Sequence, residues 1–159
     1  MESRPVLDFT PIEGLAHTPK RRDTGRAMSQ EIVEIVRASI DAYNRGDIDA
    51  LRALTHPEVE VDWSASRGLE PRTYRGKAEV IGFYQDLFDS FERITLKPDR
   101  LIDAGDSIVV PHSAEMRGRH GVDTVARSAL VYEVRGGHVA RICLYQETAE
   151  ALHAVGLRE

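Results

Sequence analysis

The chain of 159 residues is 42% hydrophobic and 30% charged, which is the composition of one soluble domain with a single core. It has 21 basic and 26 acidic residues, and the resulting net charge of −5 argues against binding to nucleic acid or to an anionic membrane. The single cysteine, Cys143, excludes an intramolecular disulfide and a cysteine-based zinc site. No apolar run approaches the ~20 residues of a membrane span and no secretory signal is evident, so we expect a cytoplasmic protein.

The first 27 residues contain three prolines, two glycines and the basic cluster Lys20-Arg21-Arg22, with no sustained period. This pattern predicts a flexible extension, in which the basic cluster is solvated charge rather than a localisation or nucleic-acid signal. Ser29 is a candidate N-cap, so we expect the folded domain to span residues 28–159.

Helical spacing begins at Ile32 and runs to Tyr43, and Gly46 supplies a stop at the C′ position. Asp47 then caps a second, shorter helix, which Pro57 ends because the residue before proline avoids helical geometry. The two segments predict a helical hairpin.

Val59, Val61 and Trp63 alternate with acidic residues, which predicts a half-buried strand with Asp62 on the face opposite Trp63. A loop containing Gly and Pro follows over residues 64–75. Residues 76–91 return to helical spacing with a broad aromatic stripe, which predicts a third helix.

Only strand signals follow the third helix, at residues 94–96, 100–102, 108–116, 124–134 and 139–145. Gly136 and Gly137 separate the last two strands and are typical of a tight hairpin, because both central residues of such turns need positive φ. A short helix or docking segment is expected over residues 148–157. Three helices followed by an antiparallel meander indicate an α+β fold.

Several strings within residues 28–157 sharpen this interpretation: 43–47 (YNRGD), 59–64 (VEVDWS), 74–76 (YRG), 101–106 (LIDAGD) and 135–139 (RGGHV). The sequence resembles the SnoaL-like, ketosteroid-isomerase-like branch of the NTF2-like superfamily. The resemblance implies a cone in which a strongly curved antiparallel (mixed) sheet wraps around three helices from the N-terminal half. Members include isomerases, polyketide cyclases, hydratases, epoxide hydrolases and non-catalytic ligand binders, so the fold alone does not define an activity.

The resemblance also allows the isomerase residues to be tested one by one. The position of the family's general base corresponds to Asp62 or Trp63 in this sequence. The position of its oxyanion tyrosine, on the first helix, corresponds to Ser39. The supporting tyrosine of the third helix falls at Tyr84, and the oxyanion carboxylic acid falls near Leu130. Only Tyr84 matches, so steroid isomerisation with the standard residues is not expected.

His112 is the leading acid/base candidate, because it shares a strand face with Val110 and Met116, and the resemblance implies that this face looks into the cone. A neutral imidazole can accept a proton near neutral pH. Tyr84 would donate a hydrogen bond and Asp62 would orient the site. The alternative is that His112 only hydrogen-bonds within the core and that Asp62 is a solvated strand residue.

The aromatic stripes predict a ligand-binding cavity, although such stripes more often form plain core. Its candidate residues are Ser39, Tyr43, Trp63, Phe83, Phe88, Val110, Met116, Leu130, Tyr132 and Tyr145. A basic patch of Arg117, Arg119, His120 and Arg127 is either an anion-docking surface or solvated charge. The histidine spacing does not suggest a metal site, and no phosphate-binding loop or dinucleotide motif suggests a cofactor.

These observations predict a protein that binds a small hydrophobic or oxygenated organic molecule, with cofactor-free proton transfer (isomerisation, cyclisation or dehydration) by His112 as one outcome. The alternative is a non-catalytic ligand-binding or dimerising interaction module, and whether the protein is an enzyme is left open. A homodimer through the outer sheet face is expected from the resemblance and from the outward Ala129, Val131 and Cys143. A void of roughly 300 Å³ shared by Trp63, Tyr84 and His112 would favour ligand binding, whereas a filled interior would favour the interaction module.

Overall fold

The structure is a computed structural model that describes residues 20–68 and 71–157. Within these residues the elements are, in chain order, α1 (Lys20–Arg45), α2 (Ile48–Leu54), β1 (Thr55–Asp62), β2 (Thr73–Arg75), α3 (Lys77–Ser90), β3 (Arg93–Pro98), β4 (Ile102–Asp103), β5 (Ser107–Arg117), β6 (Asp123–Arg135), β7 (His138–Tyr145) and α4 (Thr148–Ala154). Every helix and strand expected from the hydrophobic period is present, and their order confirms the α+β class.

Helix α1 begins at Lys20, whereas the sequence predicted a start at Ser29 and a flexible extension over residues 1–27. The expected N-cap therefore lies inside the helix. Residues 20–31 contain no proline and many good helix formers, and one interior glycine, Gly25, costs only about 1 kcal/mol. The interpretation of residues 1–19 lies outside the described residues.

The strands form one curved, mixed sheet in the order β2-β1-β7-β6-β5-β3, and β4 pairs with β5 beside β3. All pairings are antiparallel except the one between β1 and β7, which is parallel. Strand β2 was missed because its three residues lie in the stretch assigned to a loop. It pairs with the end of β1, with Tyr74 opposite Val61.

The two faces of the sheet have different partners, as the strand period of two requires. Val110 and Leu130 face the helices and belong to the main core, which also includes residues of α1, α2 and α3. Val109 and Val131 face the other way and pack with Leu152 of α4 in a second, smaller core.

Helix α4 packs on the outer sheet face, where the homodimer contact was expected. Ala129 and Val131 were expected to be exposed on the outer face, but both are fully covered in the monomer by a cluster that contains Ala151 and Leu152 of α4. Cys143 is also buried. The homodimer therefore remains a prediction, and the three apolar residues that suggested it are already buried within one chain.

Local contacts fix several chain reversals where the sequence predicted them. The Asp47 carboxylate accepts a hydrogen bond from the Ala50 N–H at 3.0 Å and so caps α2. Gly136 and Gly137 have φ values of +61° and +81°, which are the positive angles that the tight β6–β7 turn requires.

Asn44, near the C-terminal end of α1, closes the free edge of β3. Its Nδ2 donates to the Leu96 carbonyl at 2.9 Å and its Oδ1 accepts from the Leu96 N–H at 2.8 Å. The side-chain amide thus takes the place of a strand partner and ties α1 to the sheet.

Candidate functional site

A small cavity of about 40 Å³ lies between the helices and the inner face of the sheet. Helices α1 and α3 and strands β1, β3, β6 and β7 contribute its walls, together with Trp63 just after β1. The lining residues are Ser39, Tyr43, Val61, Trp63, Phe83, Tyr84, Leu87, Leu96, Leu130, Tyr132 and Ile142. The lining is mostly apolar, and its polar atoms are the serine and tyrosine hydroxyls and the indole N–H.

Aromatic rings in mutual contact form much of the cavity wall. Phe83 is central, because its ring stacks on Tyr74 at 4.3 Å between centroids and meets Trp63 edge-on at 5.4 Å. Tyr43 meets Tyr84 edge-on at 5.9 Å. Tyr43 and Trp63 are only half-buried, whereas the other lining residues are buried, so these two rings separate the cavity from solvent.

The hydroxyls of Tyr43, Tyr84 and Tyr132 have no hydrogen-bond partner among the described residues. Burial raises the pKa of each phenol, and the pKa of Tyr132 is raised further by the proximity of the other two. All three therefore remain protonated in the physiological range and can donate hydrogen bonds. Leaving a buried hydroxyl unpaired costs about 1–3 kcal/mol, so a group that accepts from these donors would be bound favourably.

The volume of the cavity is much smaller than the roughly 300 Å³ that would mark a ligand pocket by size alone. Trp63 and Tyr84 do meet there, but His112 is not part of the lining. By size, the closed interior favours the interaction module, whereas the unpaired hydroxyls favour a ligand.

His112 lies on the helix-facing side of β5, because β5 and β6 pair in regular register and Val110, two residues earlier, belongs to the main core. Its ring is only 3% exposed. Nδ1 is 3.1 Å from the Val110 carbonyl oxygen and Nε2 is 3.1 Å from Ser128 Oγ. Burial lowers the pKa of His112 below its ordinary value of 6.5, and the Val110 carbonyl and the charge of Asp99 offset only part of this effect.

Asp62 lies outside the cavity, on the outer face of β1, as strict alternation with Val61 predicted. Its Oδ1 accepts hydrogen bonds from the Ser64 hydroxyl at 2.6 Å, the Ser64 N–H at 3.1 Å and the Thr73 hydroxyl at 3.3 Å. These bonds, led by the one from the Ser64 hydroxyl, lower the pKa of Asp62. Asp62 therefore fastens the turn after β1, and the structure does not bring it near His112 or Tyr84.

Four other candidates do not line the cavity. Val110 is buried in the main core, and Phe88 and Met116 pack against that core. Tyr145 is on the outer face, because Leu144 takes the inner position at that end of β7. Burial raises the pKa of Tyr145 to about 12.

The remaining candidates do line the cavity: Ser39, Tyr43, Trp63, Phe83, Tyr84, Leu130 and Tyr132. The sequence analysis missed four lining residues, namely Val61, Leu87, Leu96 and Ile142. Their apolar period marked them as core residues, but nothing in the sequence distinguished a core position from a cavity position.

The basic patch is largely neutralised by internal partners. Arg119 donates two hydrogen bonds, at 2.6 and 2.9 Å, to the carbonyl of Asp89 near the end of α3. Arg117 pairs with Asp123 at 3.2 Å and Arg127 pairs with Asp99 at 2.5 Å. These contacts support the interpretation of the patch as structural and solvated charge.

Neither a metal-binding cluster nor a membrane-spanning helix is found in the described part of the chain. Across residues 20–68 and 71–157, no three His, Cys, Asp or Glu side chains are grouped so that they could hold a metal ion. None of the helices in this part of the chain combines the length and the apolar composition that a bilayer span requires.

Comparison with known proteins places this architecture in a family. The family model described as "SnoaL-like domain" matches residues 36–142. No curated protein is similar enough in sequence to count as a match. An NTF2-like protein of unknown function from Burkholderia pseudomallei has a TM-score of 0.65 and 23% identity, over 79% of this chain and 98% of its own.

Two mycobacterial structures are similar in fold at lower identity. A Mycobacterium tuberculosis protein in complex with estradiol-17β-hemisuccinate has a TM-score of 0.66 and 16% identity, over 74% of this chain and 94% of its own. A Δ5-3-ketosteroid isomerase from Mycobacterium sp. has a TM-score of 0.65 and 18% identity, over 74% of this chain and 93% of its own. At these identities the likeness shows the fold alone, but the family model covers most of the chain, and the protein belongs to the SnoaL-like domain family, with an NTF2-like fold.

Proposed function

We propose that this protein binds a small, largely apolar organic molecule that carries a carbonyl or hydroxyl oxygen. The observation that carries the proposal is that three tyrosines, Tyr43, Tyr84 and Tyr132, line one cavity and have hydroxyls without a hydrogen-bond partner among the described residues. A ligand oxygen that accepts from these phenols would relieve the cost of their burial. The fold neighbour in complex with estradiol-17β-hemisuccinate is in keeping with ligand binding.

The lining chemistry favours a neutral ligand. Among the described residues, no Asp, Glu, His, Lys or Arg lines the cavity. A charged ligand would leave water without a counter-ion in the cavity, and the desolvation penalty for such an unpaired charge is large. An apolar ring or chain bearing one oxygen fits the mixture of aromatic rings and hydroxyl donors.

Entry of such a ligand requires the cavity to open, since about 40 Å³ accommodates little more than one water molecule. Trp63 is the element we expect to move. It is half-buried and contacts the Phe83 ring edge-on. Among the described residues its hydrogen bonds come from the backbone alone: its N–H donates to the Arg72 carbonyl at 2.9 Å and its carbonyl accepts from the Ser66 N–H at 3.0 Å. An outward rotation of the indole would join the cavity to solvent without breaking those bonds.

The same lining argues for binding without catalysis. Moving a proton from carbon needs a base, and the protonated phenols of the cavity can donate but not accept a proton near neutral pH. Asp62 is on the other face of the sheet, and the ring of His112 lies outside the lining.

A fluorescence titration tests the proposal, because Trp63 is the only tryptophan in the chain. Cyclohexanone and methylcyclohexane are similar in size and differ by the oxygen. We expect cyclohexanone to change the Trp63 emission and to raise the melting temperature, and methylcyclohexane to do so only at about fivefold higher concentration, since one hydrogen bond is worth about 1 kcal/mol.

Two tyrosine variants test whether the Tyr84 hydroxyl, rather than the general loss of a buried phenol, is responsible for binding. Tyr84→Phe should weaken cyclohexanone binding by roughly fivefold, whereas Tyr74→Phe, which alters a buried tyrosine outside the lining, should not. Equal effects of the two variants, or no response to a panel of ketones and alcohols, would contradict ligand binding and favour the interaction module.

A second candidate function is proton transfer on a ketone, with His112 as acid/base and Tyr84 as hydrogen-bond donor. It is favoured by the position of His112 on the helix-facing side of β5, where burial keeps its imidazole in the neutral, proton-accepting form. It is also in keeping with the fold likeness to a ketosteroid isomerase. Isomerisation of a β,γ-unsaturated ketone that is lost in His112→Gln would support it, and an unchanged rate in that variant would exclude it.

We further propose a cytoplasmic homodimer that pairs through the outer sheet face. Because α4 already covers Ala129 and Val131, and Tyr145 packs against the same cluster, the pairing surface would be the part of the face around Arg141 and Asp62. Sedimentation equilibrium tests this expectation. A single species of monomer mass at micromolar concentration would contradict it.

A further inference from the structure

Ser128 and His112 form a hydrogen-bonded pair that the proposed ligand site does not use. They lie opposite each other on β6 and β5, with Ser128 Oγ 3.1 Å from His112 Nε2. The other ring nitrogen, Nδ1, is 3.1 Å from the Val110 carbonyl oxygen. A hydroxyl, an imidazole and an acceptor that orients the imidazole are therefore connected in series, which is the arrangement that activates serine nucleophiles.

The direction of the two hydrogen bonds follows from the chemistry of the partners. A carbonyl oxygen can only accept, so we assign the ring proton to Nδ1, which donates to Val110. Nε2 then carries the lone pair and accepts from the Ser128 hydroxyl. The imidazole is held in the tautomer that can take a proton from serine.

We propose that Ser128 is a nucleophile that small activated acyl esters acylate, with His112 as its general base. This activity is separate from binding in the aromatic cavity, because neither residue lines that cavity.

The position of Ser128 in β6 gives such reagents access. Residues 123–127 of β6 are exposed and residues 129–132 are buried, and Ser128 is the half-buried residue between the two stretches. Its hydroxyl thus lies at the boundary where the helix-facing side of the sheet meets solvent. His112, by contrast, is 3% exposed, so the base is shielded while the nucleophile is reachable.

The free edge of β6 offers donors for the developing negative charge. Strand β7 ends opposite Ala129, so between residues 123 and 128 the strand has a partner on one side only, in the described part of the chain. Every second backbone N–H in such an edge points away from the partner strand. An ester carbonyl approaching Ser128 from this edge would meet an unpaired N–H, which is the type of donor that stabilises acyl-transfer intermediates.

The proposed acylation needs only the aryl ester, Ser128 and His112, and the later hydrolysis needs only water. The Ser128 oxygen bonds to the ester carbonyl carbon as its proton passes to His112 Nε2. The bond from that carbon to the aryl oxygen then breaks, and the proton passes from His112 to the departing phenolate. The products are acyl-Ser128 and a phenol, and water hydrolyses the acyl-serine by the same two proton transfers.

The experiment uses the full chain with p-nitrophenyl acetate and with a fluorophosphonate as covalent probes. We expect one adduct per chain, located on Ser128 by peptide mass mapping, and no adduct in Ser128→Ala. Ser113→Ala is the matched control, because Ser113 lies on β5 beside His112 but its hydroxyl accepts from Arg127 at 2.6 Å. That variant should be labelled like the wild type. His112→Gln should slow labelling by about a hundredfold or more.

Several outcomes would overturn the proposal. These are the absence of any adduct on Ser128, equal labelling of Ser113, or an unchanged labelling rate in folded His112→Gln. If circular dichroism shows that His112→Gln does not fold, the pH profile of the wild type decides. A labelling rate that falls toward acid pH supports a histidine base, and a rate that is constant from about pH 8 to about pH 4 excludes it.

Discussion

Acidification should destabilise this protein through His112 in a way that a variant can isolate. The imidazole is buried and neutral in the folded state, with its pKa below the value of 6.5 that it has when the chain is unfolded. The unfolded chain therefore binds a proton that the folded chain does not. Stability that is fully present above pH 6.5 is lost as the pH falls from 6.5 toward the lower folded pKa.

The magnitude follows from linkage. Each pH unit in which only the unfolded state is protonated costs about 1.4 kcal/mol. Between about pH 7.5 and about pH 5.5, a group that titrates at 6.5 when unfolded removes at most about 1.4 kcal/mol, which is the limit in which it stays neutral in the folded state throughout. His112→Gln should be less stable than wild type by about 1–3 kcal/mol at the higher pH, because Val110 and Ser128 lose hydrogen bonds. At the lower pH this deficit should shrink, by at most about 1.4 kcal/mol.

Urea unfolding at three pH values measures the free energies of unfolding directly. Ser128→Ala is the control, because it removes one hydrogen bond and keeps the imidazole, so its pH dependence should parallel that of the wild type. A deficit of His112→Gln that stays constant with pH would refute the reasoning. A deficit that grows on acidification would mean that Asp99 stabilises the imidazolium more than burial opposes it.

Three further changes probe contacts described above. Asp47→Ala should lower the free energy of unfolding by about 1 kcal/mol by uncapping α2, and a loss under about 0.3 kcal/mol in urea unfolding would contradict that role. Asn44→Ala should accelerate hydrogen exchange of the Leu96 amide and cost about 1 kcal/mol, whereas unchanged exchange would show that the amide is protected by other means. Leu130→Ala should cost about 2–5 kcal/mol and enlarge the cavity, and we expect tighter benzene binding by calorimetry, with no binding as the contrary result.

The sequence was most informative where one face of an element is buried and the other is not. The alternation of Val61 with Asp62 favoured an outward carboxylate, which the structure shows, although Asp62 was also kept as a catalytic candidate. The Gly136-Gly137 pair was enough to locate the last hairpin. Tyr145 was predicted to line the cavity because it is aromatic. Neighbouring residues of a strand face opposite sides of the sheet, and since Leu144 faces the main core, Tyr145 lies on the outer face.

Other features depend on contacts that are not local in sequence. The volume of the cavity results from the rotamers of some ten side chains on six separate elements and the adjoining Trp63, which no pattern along the chain encodes. Ser128 was overlooked for the same reason, since only the β5–β6 register brings its hydroxyl to His112. The start of α1 was misjudged because a glycine and a proline nearby were given more weight than the helix formers between them.

The parallel pairing of β1 with β7 has a consequence for biosynthesis. Asp62 lies opposite Cys143, about 80 residues later in the chain, so the sheet cannot be completed until the chain through β7 has left the ribosome. Until then the main core lacks the apolar residues of β7, Val139, Ile142 and Leu144, and a nascent chain paused before β7 would offer that uncovered surface to chaperones.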